Sequence, residues 1–349
     1  MNPVWHSIPI LWVVLLVLPV MPTRAQSLPT EAQAALDRGQ ADLNRGDFPR
    51  AVGALEQARE LAPNRPEVLR PLLLAYLQAG QIPNALRLGR EAVAAWPGDP
   101  DLRHFLGLAY FKSGDNPHAK EELEQAEKLS EANFGVHFDL SLVLLTLQDY
   151  PSASRELERA VEIQPSDALT HVLLGRAYQN TNRSEDAIRQ FQAALRLDPD
   201  VSLGHYHLGF AYESVGRSKD ALAEYQLQTE RTPDNAQVHY QLGHCLLESG
   251  DWKVAISHLK RAIEIDPQKG DAFYDLGKAA LLAGEPGTAI PALQRAIRLK
   301  PADPSPHYQL ARALQQSGNN EAAELERQRF LELKRAQPVT GGMATGRTQ

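Results

Sequence analysis

The sequence predicts an all-α fold, an α-solenoid of about nine 34-residue helix-turn-helix repeats. Stepping 34 residues at a time from Pro267 meets a proline at every position from Pro63 to Pro301 except Glu131. The same step from Ala255 meets alanine in all nine units. Between these markers each unit repeats two apolar stripes at helical spacing. A single hairpin cannot bury such stripes, so copies must stack beside one another.

The unit 236–269 shows how each repeat is built. Leu242 and Gly243 belong to the apolar stripe of a first helix, and Gly250 marks the turn that follows it. A second helix starts after this glycine. It ends before Pro267, because proline lacks an N–H and disfavours helical backbone in the residue before it.

We divide the chain into a signal peptide at 1–25, a lead-in at 26–31, a solenoid at 32–337 and a disordered tail at 338–349. The tail has no apolar periodicity, which is typical of disordered segments. The nine units of the solenoid are 32–65, 66–99, 100–133, 134–167, 168–201, 202–235, 236–269, 270–303 and 304–337.

The N-terminal segment has the composition of a secretory signal peptide. An apolar run at 8–21 precedes Thr-Arg-Ala and predicts cleavage after Ala25, with a mature N-terminus at Gln26. As a helix the run spans about 21 Å, less than the roughly 30 Å of a hydrocarbon core. The sequence therefore predicts an exported protein, periplasmic or extracellular. The alternative is a membrane anchor formed by residues 8–21, since no Lys or Arg precedes the run.

Several helix boundaries can be predicted in chain order. Thr30 is a candidate cap for the first helix. Arg38 and Asp42 replace apolar residues in the first unit, which predicts a terminal repeat with one face in water. The absence of a closing proline at Glu131 predicts a helix that continues past it. Pro291 predicts a later start for the helix that contains it.

The charge balance excludes two classes of partner. The formal net charge is −7, and loss of Arg24 with the signal peptide makes it −8. Nucleic-acid binding and polybasic membrane binding both need a clustered basic excess, which this chain lacks. Contact with a membrane is expected only through an uncleaved N-terminus.

The residues that could carry chemistry have structural explanations. Histidine recurs at the 34-residue period, but equivalent side chains in neighbouring hairpins stand roughly 8–10 Å apart, too far to share one metal ion. Cys245 occupies a column of small residues that is otherwise mostly alanine. No nucleotide loop, zinc-protease helix or nucleophile elbow is present. The sequence therefore predicts no enzyme, cofactor, metal or small-molecule substrate. The histidine column is His137, His171, His205, His239 and His307.

The repeat resembles the tetratricopeptide repeat over about 32–337. The resemblance lies in the 34-residue period and the small-residue columns, with a leucine just before the glycine, as at Leu208 and Leu242, and a tyrosine three residues after it, as at Tyr178 and Tyr212. It implies a right-handed superhelix with a concave groove that binds proteins or extended peptides, and it does not imply an enzyme.

The groove predicted from this resemblance changes character along the chain. It is apolar toward the N-terminal half and carries tyrosines with cations toward the C-terminal half, where Lys278 and Arg312 would favour acidic ligands. Alternatively, each tyrosine stacks on the cation four residues on, as Tyr274 on Lys278, and binds nothing. The predicted groove residues are Phe138, Arg176, Tyr206, Phe210, Tyr240, His244, Tyr274, Lys278, Tyr308 and Arg312.

Two specialised groove types can be compared with this sequence. Members that bind chaperone tails use a clamp of lysine, asparagine and arginine, and the lysine column is mostly aromatic here. Members that transfer sugars line the groove with asparagines, where this chain has Asp139, Gln241, Asp275 and Gln309. We therefore predict an exported scaffold or adaptor that binds proteins or peptides in a cell-envelope assembly. The alternative is a non-catalytic accessory module of a larger enzyme complex, such as one that makes or exports polysaccharide.

Overall fold

The computed structural model describes residues 27–336. The predicted signal peptide, its cleavage site and the tail at 338–349 lie outside these residues. Within the described range the regular secondary structure is entirely α-helical. Odd-numbered helices are the first helices of the hairpins and even-numbered helices are the second. The described helices are α1 (Thr30–Asn44), α2 (Phe48–Leu61), α3 (Pro66–Gln78), α4 (Ile82–Ala95), α5 (Pro100–Ser113), α6 (Asn116–Leu129), α7 (Phe134–Thr146), α8 (Tyr150–Ile163), α9 (Ala168–Asn180), α10 (Ser184–Leu197), α11 (Gly204–Ser214), α12 (Ser218–Arg231), α13 (Ala236–Ser249), α14 (Trp252–Ile265), α15 (Gly270–Leu282), α16 (Pro286–Leu299), α17 (Ser305–Gln316) and α18 (Asn320–Ala336).

The chain separates into two units, one ending at Ser113 and one beginning at Gly114. The first unit contains α1 to α5, and its core includes the fully buried Leu72 and Tyr76. The second unit contains α6 to α18, where each described helix contacts the next in sequence. This pattern is that of an α-solenoid, in which a repeat packs against its neighbours.

The small-residue columns allow the two helices of a hairpin to pack closely. All nine alanines of the Ala255 column are at most 1 % exposed. A Cβ added at Gly243 would lie 2.7 Å from Cγ of Leu259, and one at Gly175 would lie 2.6 Å from Cε1 of Phe191. Real Cβ atoms do not approach carbon this closely. Glycine at these two positions therefore lets a large side chain of the second helix lie directly on the first.

The turn inside each hairpin needs a left-handed residue. Seven of the nine turns use glycine, and Gly250 has φ +91°. The other two use Gln148 and Asn182, with φ +59° and +58°. At Gln148 the next amide, that of Asp149, donates to the Leu144 carbonyl at 2.9 Å and closes the helix end. These two turns place a side chain where glycine is the favoured residue.

Three helix-boundary predictions and one prediction of solvent exposure are wrong. Thr30 is the first helical residue of α1 rather than its cap, which is Pro29. Helix α6 ends at Leu129, before Glu131. Helix α16 starts at Pro286, a favoured residue at the first helical position, and continues through Pro291, where it lacks one backbone hydrogen bond. Asp42, expected to face water, is 8 % exposed and accepts a hydrogen bond from Arg45.

The last described helix, α18, has one buried residue, Ala323. Its Leu325 is 62 % exposed and Leu331 is 47 % exposed. A helix with one packed stripe and a wet opposite face is typical of a terminal repeat. No helix among residues 27–336 has the length and apolar character needed to cross a membrane.

Candidate functional site

The histidine column joins three segments of one hairpin. His239 Nε2 lies 2.9 Å from the Pro233 carbonyl oxygen in the preceding turn, and its Nδ1 lies 3.1 Å from Nδ1 of His258 on the second helix. His171 repeats this arrangement with Gln190 as the partner on the second helix. Because a carbonyl oxygen can only accept, Nε2 carries a hydrogen and donates it. The column thus has a structural role in its hairpins.

His137 lies in a more acidic setting than the other members of its column. Its Nδ1 lies 2.8 Å from Oε2 of Glu156 and its Nε2 lies 2.9 Å from the Glu131 carbonyl oxygen. The hydrogen bond to Glu156 raises the pKa of His137. Burial, followed by the charge of Glu156, raises the pKa of the nearby Glu127 carboxyl. One ligand atom each from Glu127, His137 and Glu156 lies within 4.8 Å of the other two.

Four predicted groove residues form what we call the tyrosine face: Tyr206 on α11, Tyr240 on α13, Tyr274 on α15 and Tyr308 on α17. Helix α13 contacts α15, and α15 contacts α17. Tyr308 is 46 % exposed, whereas the other three rings are partly buried against the core. Each of these three rings therefore presents part of its surface to solvent while the remainder is fixed by packing.

A buried carboxylate organises the centre of the tyrosine face. Asp275 is 5 % exposed and lies 2.8 Å from Nδ1 of His244. The bond to Asp275 raises the pKa of His244, and burial together with the charge of this carboxylate raises the pKa of Tyr240. The Lys269 ammonium lies 4.9 Å from the centre of the Tyr240 ring, and the His244 ring lies 6.0 Å from it. The Tyr240 ring is thus packed partly against the core and contacted by two neighbouring side chains.

A second cluster surrounds Tyr206. Its ring lies edge-on to His207 at 5.3 Å, and His207 stacks on Phe191 at 5.5 Å. Burial and the charge of Arg176 lower the pKa of His207 to about 4, so this imidazole is neutral near pH 7. Sequence reasoning overlooked His207. The sequence offered one signal for it: the column of residues directly after the four tyrosines contains both His207 and Asp275.

The cations of the predicted groove have partners within the protein. Lys278 Nζ lies 2.7 Å from Oε1 of Glu248 on α13, and Arg312 Nη1 lies 3.1 Å from Oε1 of Gln309. The Lys278 charge is therefore offset by Glu248, so the expected preference for an acidic ligand has no support at this residue.

The remaining predicted groove residues lie at the surface in different degrees. Phe210 is 43 % exposed, and Arg176 is exposed. Phe138 is partly buried and stacks on Phe134 at 5.6 Å. The structure thus places Tyr240 and His244 of α13 near Asp275, which lies on α15 together with the predicted groove residues Tyr274 and Lys278.

Cys245 is buried in the core, as its column predicted. Its Sγ lies 3.6 Å from the Ser218 carbonyl oxygen. Burial raises the pKa of the thiol to about 11. A thiol that stays protonated and buried is a poor nucleophile, so Cys245 acts in packing.

Comparison with protein families identifies the repeat. The tetratricopeptide-repeat family model matches residues 36–100, 106–168, 172–236, 211–269 and 240–304. A second tetratricopeptide-repeat model matches residues 76–131 and 280–329. No curated protein matches the sequence.

Solved structures with a similar fold include several repeat proteins. Pseudomonas aeruginosa pilF is 19 % identical with a TM-score of 0.52, over 59 % of this chain and 94 % of that one. The Cut9–Hcn1 hetero-tetramer of APC/C is 17 % identical with a TM-score of 0.52, over 80 % of this chain and 55 % of that one. YrrB, described as a protein of this repeat class with an unusual peptide-binding site, is 23 % identical with a TM-score of 0.47, over 54 % of this chain and 96 % of that one. The family models cover most of the chain, and the chain therefore belongs to the tetratricopeptide-repeat family.

Proposed function

We propose that the protein is an exported scaffold or adaptor whose tyrosine face binds an extended segment of a partner protein in a cell-envelope assembly. In this proposal the chain has no active site of its own and acts by holding its partner. The export step follows from the apolar run at 8–21. An envelope partner is proposed because the exported chain would meet its ligand there.

The observation that carries the binding proposal is the preorganised Tyr240 ring. The ring packs partly against the core, His244 lies 6.0 Å from it and Lys269 lies over one ring face. A side chain already fixed in one rotamer loses little conformational entropy when a ligand packs on it. Tyrosine is also among the residues that most often anchor interfaces, because its flat ring and hydroxyl combine apolar contact with hydrogen bonding.

The spacing of the tyrosine face suits an extended ligand. Tyr240 and Tyr274 lie on first helices that contact one another, and packed helix axes lie about 8–10 Å apart. An extended peptide rises about 3.3 Å per residue, so side chains about three residues apart would meet successive tyrosines. The partner is therefore expected to lie across the first helices in an extended conformation.

The experiment compares cross-linked partners of three full-length chains expressed in the native host. Tyr240→Ala with Tyr274→Ala should lower affinity for the specific partner by at least about 2 kcal/mol, or about 30-fold. Far-UV circular dichroism should remain near wild type, since both rings are only partly buried. Affinity is then measured with the purified partner.

The matched control is Lys260→Ala with Arg261→Ala on the exposed face of the second helix α14. It should leave affinity unchanged. If binding survives the tyrosine pair and fails with the lysine–arginine pair, the interface lies on the second helices and the tyrosine face is not the binding site.

A further inference from the structure

Glu127 is the one acidic residue in a mostly apolar column of the second helices beside the histidine column. The equivalent residues of the following second helices are Val161, Leu195, Thr229, Ile263 and Ile297. A carboxylate in this column is partly buried on α6 and lies next to His137. Burying part of a carboxylate is costly, so a strong positive charge at this point would stabilise it.

The surroundings of His137 supply the other two donors for such a partner. The imidazole is 2 % exposed and fixed at Nε2 by the Glu131 carbonyl at 2.9 Å. Its Nδ1 points at Glu156 Oε2 at 2.8 Å. An imidazole whose one nitrogen donates to a backbone carbonyl presents the other nitrogen in a fixed direction, an arrangement typical of histidines that bind metals.

We propose that Glu127, His137 Nδ1 and Glu156 form a site for one divalent transition-metal ion of the Zn²⁺ type. The ion would take the place of the proton between Nδ1 and Glu156, and that proton would leave to solvent. The Nε2–H would keep its bond to the Glu131 carbonyl. Ligand atoms of a tetrahedral ion with bonds near 2.0–2.2 Å stand about 3.4 Å apart. To reach this value the spread of up to 4.8 Å would close through rotation of the Glu127 side chain, and the 2.8 Å between Nδ1 and Glu156 Oε2 would open through rotation of Glu156.

The donor set favours a transition metal over calcium or magnesium. Ca²⁺ and Mg²⁺ prefer six or more oxygen ligands, whereas an imidazole nitrogen with two carboxylates suits Zn²⁺. Three protein ligands leave a fourth position for water. Because Glu127 is on α6, His137 on α7 and Glu156 on α8, the ion would clamp a second helix to the hairpin that follows it.

The neighbouring hairpins provide internal controls. His171 faces the amide of Gln190, and the residue equivalent to Glu127 is Val161. His205 and His307 each face one carboxylate, Glu224 and Glu326. The residues that occupy the Glu127 position next to these two histidines, Leu195 and Ile297, are apolar. Among the described residues, the group at His137 is the one in which three such donors converge.

The test is calorimetric titration of ZnCl₂ into the full chain after removal of metal with a chelator. We expect one specific site, unaffected by millimolar Mg²⁺ or Ca²⁺. Glu127→Val, which installs the residue found one repeat later, should weaken that site at least about ten-fold. Glu127→Gln should do the same while keeping the side-chain shape. His171→Leu, which installs the residue found at Leu69, should leave the affinity within about two-fold.

Cobalt substitution provides a second measurement. Tetrahedral Co²⁺ at the site should give visible absorption bands in the wild type and in His171→Leu, and none in either Glu127 variant. Circular dichroism establishes that the variants are folded. Zn²⁺ affinity that is equal in the wild type and in both Glu127 variants would overturn the proposal, as would Co²⁺ bands that persist in them.

Discussion

Asp275 shows how one buried side chain sets the chemistry of the tyrosine face. It is 5 % exposed, and it pairs with the His244 imidazole at 2.8 Å. A carboxylate in this position needs donors, because an unpaired buried charge is costly. Glu213 and Glu248 add negative potential around the same histidine. The centre of the face is therefore an acidic pocket that favours a protonated imidazole.

We predict that His244 titrates above its ordinary value of 6.5. Its hydrogen bond to Asp275 stabilises the protonated form in the folded state, so the contribution to stability is full below about pH 6.5 and is lost as pH rises through the folded pKa. NMR titration of the imidazole should give a pKa above 6.5 in the wild type and a lower one in Asp275→Asn. The difference in thermal stability between these two proteins should shrink as the pH rises above about 6.5.

His258 is the control for this titration. Burial and then the charge of His239 lower its pKa. Its titration should therefore lie below 6.5 and be unchanged by Asp275→Asn. A His244 pKa at or below 6.5 in the wild type would show that the Asp275 bond does not favour the imidazolium.

At the scale of the helix and its turn, the nine hairpins of residues 27–336 share one backbone requirement. A left-handed residue follows the end of each first helix by one or two positions, and Gln148 and Asn182 meet this requirement without being glycine. A left-handed conformation costs roughly 1–2 kcal/mol for an ordinary residue. These turns are accordingly where the hairpins are under local backbone strain.

Gln148→Gly should stabilise the hairpin of α7 and α8 by about 0.5–1 kcal/mol. Glycine removes the left-handed penalty but loses more chain entropy on folding, so the net gain is smaller than the penalty. Hydrogen exchange of the α7 and α8 amides measures this gain locally. Gly250→Ala is the reciprocal control and should destabilise its hairpin, since φ there is +91°. Equal exchange in Gln148→Gly and the wild type would argue against strain at this turn.

The alanine column makes a second prediction at this scale. Ala187 is fully buried between the helices of its hairpin, so Ala187→Leu should overpack the contact and cost about 1–3 kcal/mol. Because a solenoid repeat contacts mainly its neighbours, faster hydrogen exchange should be confined to α9, α10 and adjacent helices. Uniform loss of protection through the second unit would contradict this account. Ala193→Leu, on a partly exposed position of the same helix, is the matched control.

At the scale of the whole chain, the protein is an array whose stability is the sum of repeats and their contacts rather than one cooperative core. The two compact units, divided between Ser113 and Gly114, are both built from helices of the same repeat. A single midpoint of unfolding is therefore an incomplete description of the stability of this chain. Hydrogen exchange, which reports on each repeat separately, is the appropriate measurement.

Export is the prediction that concerns the complete chain. We expect cleavage after Ala25 and a mature N-terminus at Gln26, since Thr-Arg-Ala follows an apolar run too short for a relaxed membrane span. Mass spectrometry of the periplasmic or secreted fraction measures the N-terminus directly. An intact Met1 recovered in the membrane pellet would instead identify residues 8–21 as an anchor.

The repeating architecture could be predicted from the sequence, because the 34-residue period and the alanine and glycine columns follow directly from how the helices pack. Gly243 had to be small for Leu259 to reach the first helix, and the geometry confirms this. The helix ends near Glu131 and Pro291 were mispredicted, because local backbone and capping hydrogen bonds determine where a helix begins and ends. The partners of Lys278 and Asp275 could not be read from columns, because each lies on a helix about thirty residues away.

The bonds of His239 reach six residues back to Pro233 and nineteen forward to His258. A segment cut from 233 to 266 therefore contains both partners of this histidine. Duplicating or removing one such segment leaves each remaining histidine of the column with its own carbonyl and second-helix partner, while bonds such as that of His244 to Asp275 join one segment to the next. Recombination at the closing proline could lengthen or shorten the array by whole repeats while each copy kept its own histidine contacts, and a designer could transplant the segment between arrays at the same joint.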